Sequence, residues 1–168
     1  MLASMAIRAR KPDDIAGCVT LLRAVHKASG YPSRWPDDPA RWLTPATLAA
    51  AWVAETEGLT SGHVALVRGV RVQCLLEVTG RAPDELGGIT RLFVDPTARR
   101  QGTARALLEM AVAQARERSW QPVLDVVADG HAAIALYERA GWKLAGTEAA
   151  TWTNADGVAP VVRYYVGP

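Results

Sequence analysis

Arg91-Leu92-Phe93-Val94-Asp95-Pro96-Thr97-Ala98-Arg99-Arg100-Gln101-Gly102-Thr103-Ala104-Arg105-Ala106-Leu107-Leu108 is the stretch that decides how this chain folds. An apolar run stops at a proline, a short basic turn follows, and a glycine opens an apolar-periodic helix. That reads as a strand, a turn rich in backbone N–H groups, and the positive end of a helix macrodipole. Such a helix start suits a phosphate or pyrophosphate, and two arginines add charge where the anion would sit. The competing reading of the turn alone is a solvated basic loop.

Working outward, Gly88–Asp95 is expected to be the strand. The helix after Gly102 carries Ala104, Leu107, Leu108, Ala111, Val112 and Ala115 on one face and ends near Ser119. Val123–Val127 is a second β-branched run, and Gly130–Ala140 a short helix closed by Gly141 in a left-handed cap. This strand–helix–strand unit requires a right-handed crossover and parallel pairing. Lys143–Thr153 and Val161–Val166 are expected to be antiparallel strands about a turn at Asn154-Ala155-Asp156-Gly157. On the N-terminal side, Ala6–Arg10 alternates like a strand, and Pro12-Asp13-Asp14 opens a helix that ends at Gly30. Thr44-Pro45 predicts a further helix to about Gly58. His63–Arg68 and Val70–Thr79 are expected to be strands joined near Gly69. The class is α/β or α+β with a central mixed sheet.

The totals narrow the field. One domain over 1–168 is expected, long enough to bury most of its apolar surface. A net charge of +2, with 49% hydrophobic and 21% charged residues, argues for neither nucleic acid nor a membrane surface as partner. No apolar run approaches the roughly 20 residues that span a bilayer. Arg8, Arg10 and Lys11 interrupt any signal-peptide core, so the expected location is cytoplasmic. Cys18 and Cys74 have no metal-ligand spacing and are expected to be reduced; no metal is expected.

The element order and two motifs resemble the GNAT superfamily of acyl-coenzyme A-dependent N-acyltransferases. The first motif is Arg99-Arg100-Gln101-Gly102-Thr103-Ala104, preceded by Leu92-Phe93-Val94-Asp95-Pro96. The second is the late helix Ala133-Ile134-Ala135-Leu136-Tyr137-Glu138-Arg139-Ala140-Gly141-Trp142. The resemblance implies a GNAT-like mixed, mostly antiparallel sheet flanked by helices, with one parallel unit at the coenzyme A site. It implies acetyl-CoA as cosubstrate and direct acetyl transfer to a primary amine, the acceptor being a small molecule or peptide of unknown identity. The alternative is a non-catalytic acyl-CoA-binding sensor or regulatory module of the same fold. C-terminal strands that pair across a homodimer are frequent in the family. Three positions depart from the family pattern: Gly130 where Asn is common, Ala104 where a second glycine is common, and Gly88 where some members carry a glutamate base.

Residue roles follow from that resemblance. Arg99, Arg100, Gln101, Gly102, Thr103 and Ala104 surround the pyrophosphate, with Gly102 allowing close backbone approach. Leu92, Phe93 and Val94 offer backbone groups to the pantetheine arm, and an N–H near Phe93 or Val94 polarises the thioester carbonyl. Tyr137 protonates the leaving thiolate; a phenol pKa of about 10 against about 8.5 for a thiol makes that transfer feasible. The alternative for Tyr137 is a packed tyrosine at a helix–sheet seam. Asp125, Glu77 and Asp129 lie near candidate strands, but the general base stays unassigned. His26 and His63 have no ligand-like partners in sequence, and His131 sits at a helix start. Tyr31, Trp35 and Trp42 cluster in an irregular segment, where they either receive the acceptor amine or pack that loop onto the body.

Overall fold

The computed structural model describes residues 4–98 and 100–168. In chain order the elements are β1 (Met5–Ala9), α1 (Ile15–Ser29), α2 (Pro39–Trp42), β2 (Leu48–Thr56), β3 (Leu59–Arg68), α3 (Gln73–Thr79) and β4 (Leu86–Val94). They continue with α4 (Thr103–Glu117), β5 (Gln121–Val127), α5 (His131–Arg139), β6 (Lys143–Ala149) and β7 (Val161–Val166). The strands make a seven-stranded mixed sheet in the order β1-β2-β3-β4-β5-β7-β6. The chain divides into two compact units: residues up to Leu66 with Arg91–Ala111, and Val67–Thr90 with Val112–Pro168. Among the described residues no helix is long and apolar enough to cross a membrane.

In the first unit, α1 buries Cys18, Leu21, Leu22 and Val25, a stripe at helical spacing. Gly30 ends it in the left-handed region at φ 74°, its N–H on the His26 carbonyl at 2.8 Å. The stripe packs with Leu43, Val53 and Phe93, and Tyr31, Trp35 and Trp42 close over that cluster. Each such side chain removed from water contributes roughly 1.5–3 kcal/mol. β1 pairs antiparallel with β2 from Met5↔Thr56 to Ala9↔Trp52.

The helix expected from Thr44-Pro45 to Gly58 is not there; Leu48–Thr56 is β2. The helix-start signal is used up in a turn, where the Leu48 N–H reaches the Pro45 carbonyl at 2.9 Å. Alanines at 49, 50, 51 and 54 favour a helix in isolation. Pairing overrides that preference, because β2 lies between β1 and β3. Trp52, Val53 and Ala54 are consecutive and all buried, as in a strand covered on both faces.

In the second unit, β4 pairs parallel with β5 through Leu86↔Gln121, Gly87↔Pro122 and Gly88↔Val123. β5 pairs antiparallel with β7 from Val123↔Val166 to Val127↔Val162, and β6 pairs with β7 around an irregularity between Leu144 and Gly146. The parallel unit, the C-terminal antiparallel strands and the helix closed by Gly141 (φ 85°) are as expected.

Val70–Thr79 is not a strand. After Gly69 the chain forms α3, which Gly80 ends at φ 63° with its N–H on the Leu76 carbonyl. Val70, Val72, Cys74, Leu75 and Leu76 all pack inward, so the apolar positions nearly alternate as in a strand. The helix is marked instead by backbone bonds such as the Leu76 N–H on the Val72 carbonyl at 3.0 Å. Gln73 and Glu77 bond one turn apart at 2.6 Å. Leu75 joins Leu86 and Val123 in this unit's core, with Cys74, Tyr164 and Val166 against it.

Candidate active site

The segment that opened the sequence reading folds locally as that reading requires. Asp95 ends β4 with its N–H on the Ser61 carbonyl at 2.8 Å, and its Oδ1 accepts from the Thr97 N–H and hydroxyl at 2.8 and 2.7 Å. Arg100 and Gly102 then both take left-handed backbone, at φ 68° and 78°. Backbone of that kind next to a helix start gathers successive N–H groups on one side, an anion-binding geometry. The Gly102 carbonyl accepts the Ala106 N–H at 2.9 Å, so Gly102 is the first link of α4. Nothing lies within 4 Å of where a Gly102 side chain would begin. Open space and a conformation that disfavours any side chain coincide at one residue. Arg100, Gln101 and Gly102 are exposed, whereas Thr103 is buried. Arg99 lies outside the described residues.

The start of α4 is anchored by a close approach. A side chain at Gly62 would meet Leu107 Cδ1 at 2.7 Å and Thr103 Cγ2 at 3.2 Å. A glycine in β3 leaves room for the start of α4 to lie this near. The site is thus held by a missing side chain on one element and an apolar stripe on the other.

Beside this turn, β4 carries Leu92, Phe93 and Val94. Phe93 is buried in the α1 cluster and stacks on the His63 ring, centroids 5.0 Å apart and planes 19° apart. Tyr31 reaches Phe93 at 6.4 Å and Trp42 at 6.2 Å. Trp35 instead packs with His26 at 5.3 Å, with the Arg23 guanidinium 5.3 Å from its ring. Of the two aromatics expected to greet an acceptor, Tyr31 adjoins Phe93 of β4 while Trp35 is held against α1.

Sequence reading missed the polar group next to Phe93. His63 has no exposed surface. Its Nδ1–H donates to the Arg91 carbonyl at 2.8 Å, and its Nε2 accepts from Arg10 Nη1 at 2.9 Å. A carbonyl only accepts and a guanidinium only donates, which fixes the neutral ring in the Nδ1–H form. Burial pushes its pKa down to about 4. Arg10 also donates to the Leu43 carbonyl at 2.7 Å and the Thr44 hydroxyl at 3.0 Å. Arg91 is itself left-handed at φ 52°; its Nε donates to the Trp42 carbonyl at 2.5 Å and its guanidinium lies 4.6 Å from the Trp42 ring centre. The signal available in sequence was one histidine inside an otherwise apolar strand.

Tyr137 belongs to the second unit. It is buried on α5 with Ile134, and its ring lies 6.1 Å from Trp142 and 6.4 Å from Tyr165. The Tyr165 hydroxyl donates to Glu138 Oε1 at 3.0 Å, and the Trp142 N–H reaches the Tyr137 carbonyl at 3.0 Å. Burial, and to a lesser degree the Asp125 charge, raise the Tyr137 phenol above its ordinary range, so it keeps its proton at neutral pH.

Two departures from the expected motif sit in crowded surroundings. A side chain at Gly88 would begin 2.8 Å from Val67 Cγ2 and 3.0 Å from Val70 Cγ2. The room that a glutamate would need is filled by two valines. A side chain at Gly130 would meet the Val127 carbonyl at 3.1 Å, and α5 begins there without a side-chain cap. Cys18 is no candidate nucleophile, since burial pushes its thiol up to about 11.

The sequence profile of the acetyltransferase (GNAT) family matches residues 6–142, and the chain belongs to that family. No curated protein matches it in sequence. Solved structures share the fold at low identity. The ribosomal-protein-S18-alanine N-acetyltransferase from Escherichia coli superposes with a TM-score of 0.73 at 20% identity, over 98% of this chain and 94% of that one. An N-acetyltransferase from Staphylococcus aureus Mu50 gives 0.76 at 17%, covering 98% of each chain. Arabidopsis thaliana NAA60, solved in complex with acetyl-CoA, gives 0.75 at 18%, covering 97% of each.

Proposed function

We propose that this chain, read as a single domain over 1–168, transfers an acetyl group from acetyl-CoA directly to a primary amine of a small molecule or peptide. The observation that carries this reading is the turn between β4 and α4. Its left-handed Arg100 and Gly102, with open space at Gly102, suit an anion approaching the backbone. In this reading Gln101, Gly102, Thr103 and Ala104 hold the pyrophosphate through N–H groups, with Arg99 and Arg100 adding charge. Leu92, Phe93 and Val94 offer backbone to the pantetheine arm, as an added strand does. The family membership and a neighbour solved with acetyl-CoA support the choice of donor.

The chemistry moves one acyl group. The amine nitrogen bonds to the thioester carbon, the carbon–sulfur bond breaks, and the electron pair leaves on sulfur. We assign the proton for that thiolate to Tyr137. Burial makes this phenol a weaker acid than a free one, so it gives up its proton only as the leaving sulfur's negative charge develops beside it. Tyr31, next to Phe93, is assigned to the acceptor side, where an aromatic face favours a cationic amine, while Trp35 already carries Arg23 over its ring and packs the loop instead. The amine's own proton goes to solvent, since Gly88 offers no base.

Calorimetric titration with acetyl-CoA tests this, beside Gly102→Val. Saturable micromolar binding that the variant loses is the expected result. Absence of binding by the intact protein would sink both this function and the rival reading as a non-catalytic acyl-CoA sensor. Binding without coenzyme A release across a broad amine panel would favour the sensor.

A further inference from the structure

One buried titratable group has no task in the chemistry above. His63 lies in β3 with no exposed surface, and it touches β4 twice. Its Nδ1–H takes the Arg91 carbonyl at 2.8 Å, and its ring stacks on Phe93 at 5.0 Å. The two contacts bracket the first residues of the run assigned to the pantetheine arm.

A trans peptide is planar, so the carbonyl of one residue and the N–H of the next point in opposite directions. Fixing the Arg91 carbonyl on His63 therefore fixes the Leu92 N–H to point away from His63. Along the extended backbone that follows, successive N–H groups alternate sides. The N–H of Val94 shares the direction of Leu92, and the N–H of Phe93 has the opposite one. Arg91 is left-handed, a conformation that costs a non-glycine residue about 1–2 kcal/mol. Such a kink persists only where its surroundings over-determine it. Here the Arg91 carbonyl is held by His63, and the Arg91 side chain by the Trp42 carbonyl and indole face.

We propose that His63 is a positioning residue of the acyl-donor site: its Nδ1–H, kept in that tautomer by Arg10 on Nε2, locks the Arg91–Leu92 peptide so that the Leu92 and Val94 N–H groups, and not that of Phe93, face the thioester. Arg10 is the second member of this device. By donating to Nε2 at 2.9 Å it makes the alternative tautomer unfavourable, and its bonds to Leu43 and Thr44 hold it in place. This role rests on the donor reading given under the proposed function.

The test needs no acceptor. Acetyl-CoA carrying carbon-13 at the thioester carbonyl is bound to the protein, and its carbonyl stretch is read by difference infrared spectroscopy. An N–H aimed at the carbonyl lowers that frequency. His63→Leu removes both ring nitrogens, His63→Gln keeps an acceptor for Arg10 without a donor at the Nδ1 position, and His63→Asn keeps the donor. The wild type and His63→Asn should show a lowered band. The Leu and Gln variants, saturated with acetyl-CoA, should show a band moved back toward its free position. If His63→Leu does not fold, the Gln and Asn pair gives the same comparison. Equal bands in all folded variants would overturn the role, as would a wild-type complex whose band sits at the free position. Failure of the wild type to bind acetyl-CoA in the calorimeter would be a different result, removing the donor site itself and this role with it.

Discussion

At the scale of single residues, three positions bear most on the proposed function, and two are glycines. Gly102 is set apart by conformation and Gly88 by crowding. Placing glutamate at 88 would add a carboxylate to a spot that Val67 and Val70 fill. Overpacking and desolvation together should cost more than about 3 kcal/mol. Chemical denaturation of Gly88→Glu should therefore show a large loss of stability and coenzyme A release no faster than in the wild type; a stable, faster variant would contradict the steric account. Tyr137 makes its ring contacts with Trp142, just after α5, and with Tyr165 in β7, and its substitution by Phe keeps them. Turnover of Tyr137→Phe should fall by about 10²-fold or more, the usual worth of a positioned acid. Its acetyl-CoA dissociation constant should stay within about 3-fold, since only the transition state loses a contact. Equal turnover would return Tyr137 to a packing role.

At the scale of elements, β4 is held by a buried neutral histidine, which gives the fold a measurable pH signature. His63 titrates near 4 in the folded protein against about 6.5 in an unfolded chain. Between those values the unfolded chain binds a proton that the folded one refuses, so acid favours unfolding. The stability this group contributes is complete above pH 6.5 and should decline by about 3 kcal/mol as pH falls to 4. Denaturant midpoints measured across that window should lose this slope in His63→Asn. Asp14 acts lower still. Its bonds to Arg8, at 2.8 and 2.9 Å, hold it down to about 2, so its contribution fades only below the ordinary carboxylate range.

The same scale shows what could be read from the chain. Strand β4, helix α4 and the Gly141 cap were legible because local signals agreed there: a proline stop, a glycine at each turn and one uninterrupted apolar period. β2 and α3 were misread in opposite directions. In β2, alanines and a Thr-Pro start point to helix while the decisive fact, strands on both sides, is non-local. In α3, Val70 and Val72 suggest a strand, yet they only lead into the helix that Leu75 and Leu76 anchor. The turn between β4 and α4 was legible as residue types in order. The His63–Arg10–Arg91 group was not, because its members come from three separate strands or strand ends and meet only after folding.

At the scale of the whole molecule, covalent continuity matters most. β3, β4 and α4 each run from one compact unit into the other without a break. Melting one unit therefore acts on elements that continue into the other. Calorimetry should accordingly record a single transition whose measured and van't Hoff enthalpies agree, with roughly 0.7 kcal/mol per residue near 60 °C. Two resolved peaks would show that the shared elements do not couple the units. The seven-stranded sheet of the family is kept throughout, while α3 occupies the stretch between β3 and β4.

The valines around Gly88 also bear on how such a protein can change over generations. Every glycine codon is one base from a codon for an acid, two of the four from glutamate and two from aspartate, so a single mutation can supply a carboxylate there. Each arrival should lower stability, because its first side-chain carbon would begin 2.8 Å from Val67 Cγ2 and 3.0 Å from Val70 Cγ2. On this steric account glutamate at 88 should become tolerable only in a chain whose residues 67 and 70 are smaller. The order in which substitutions occur, and not only their supply, then decides whether a carboxylate can settle at that point.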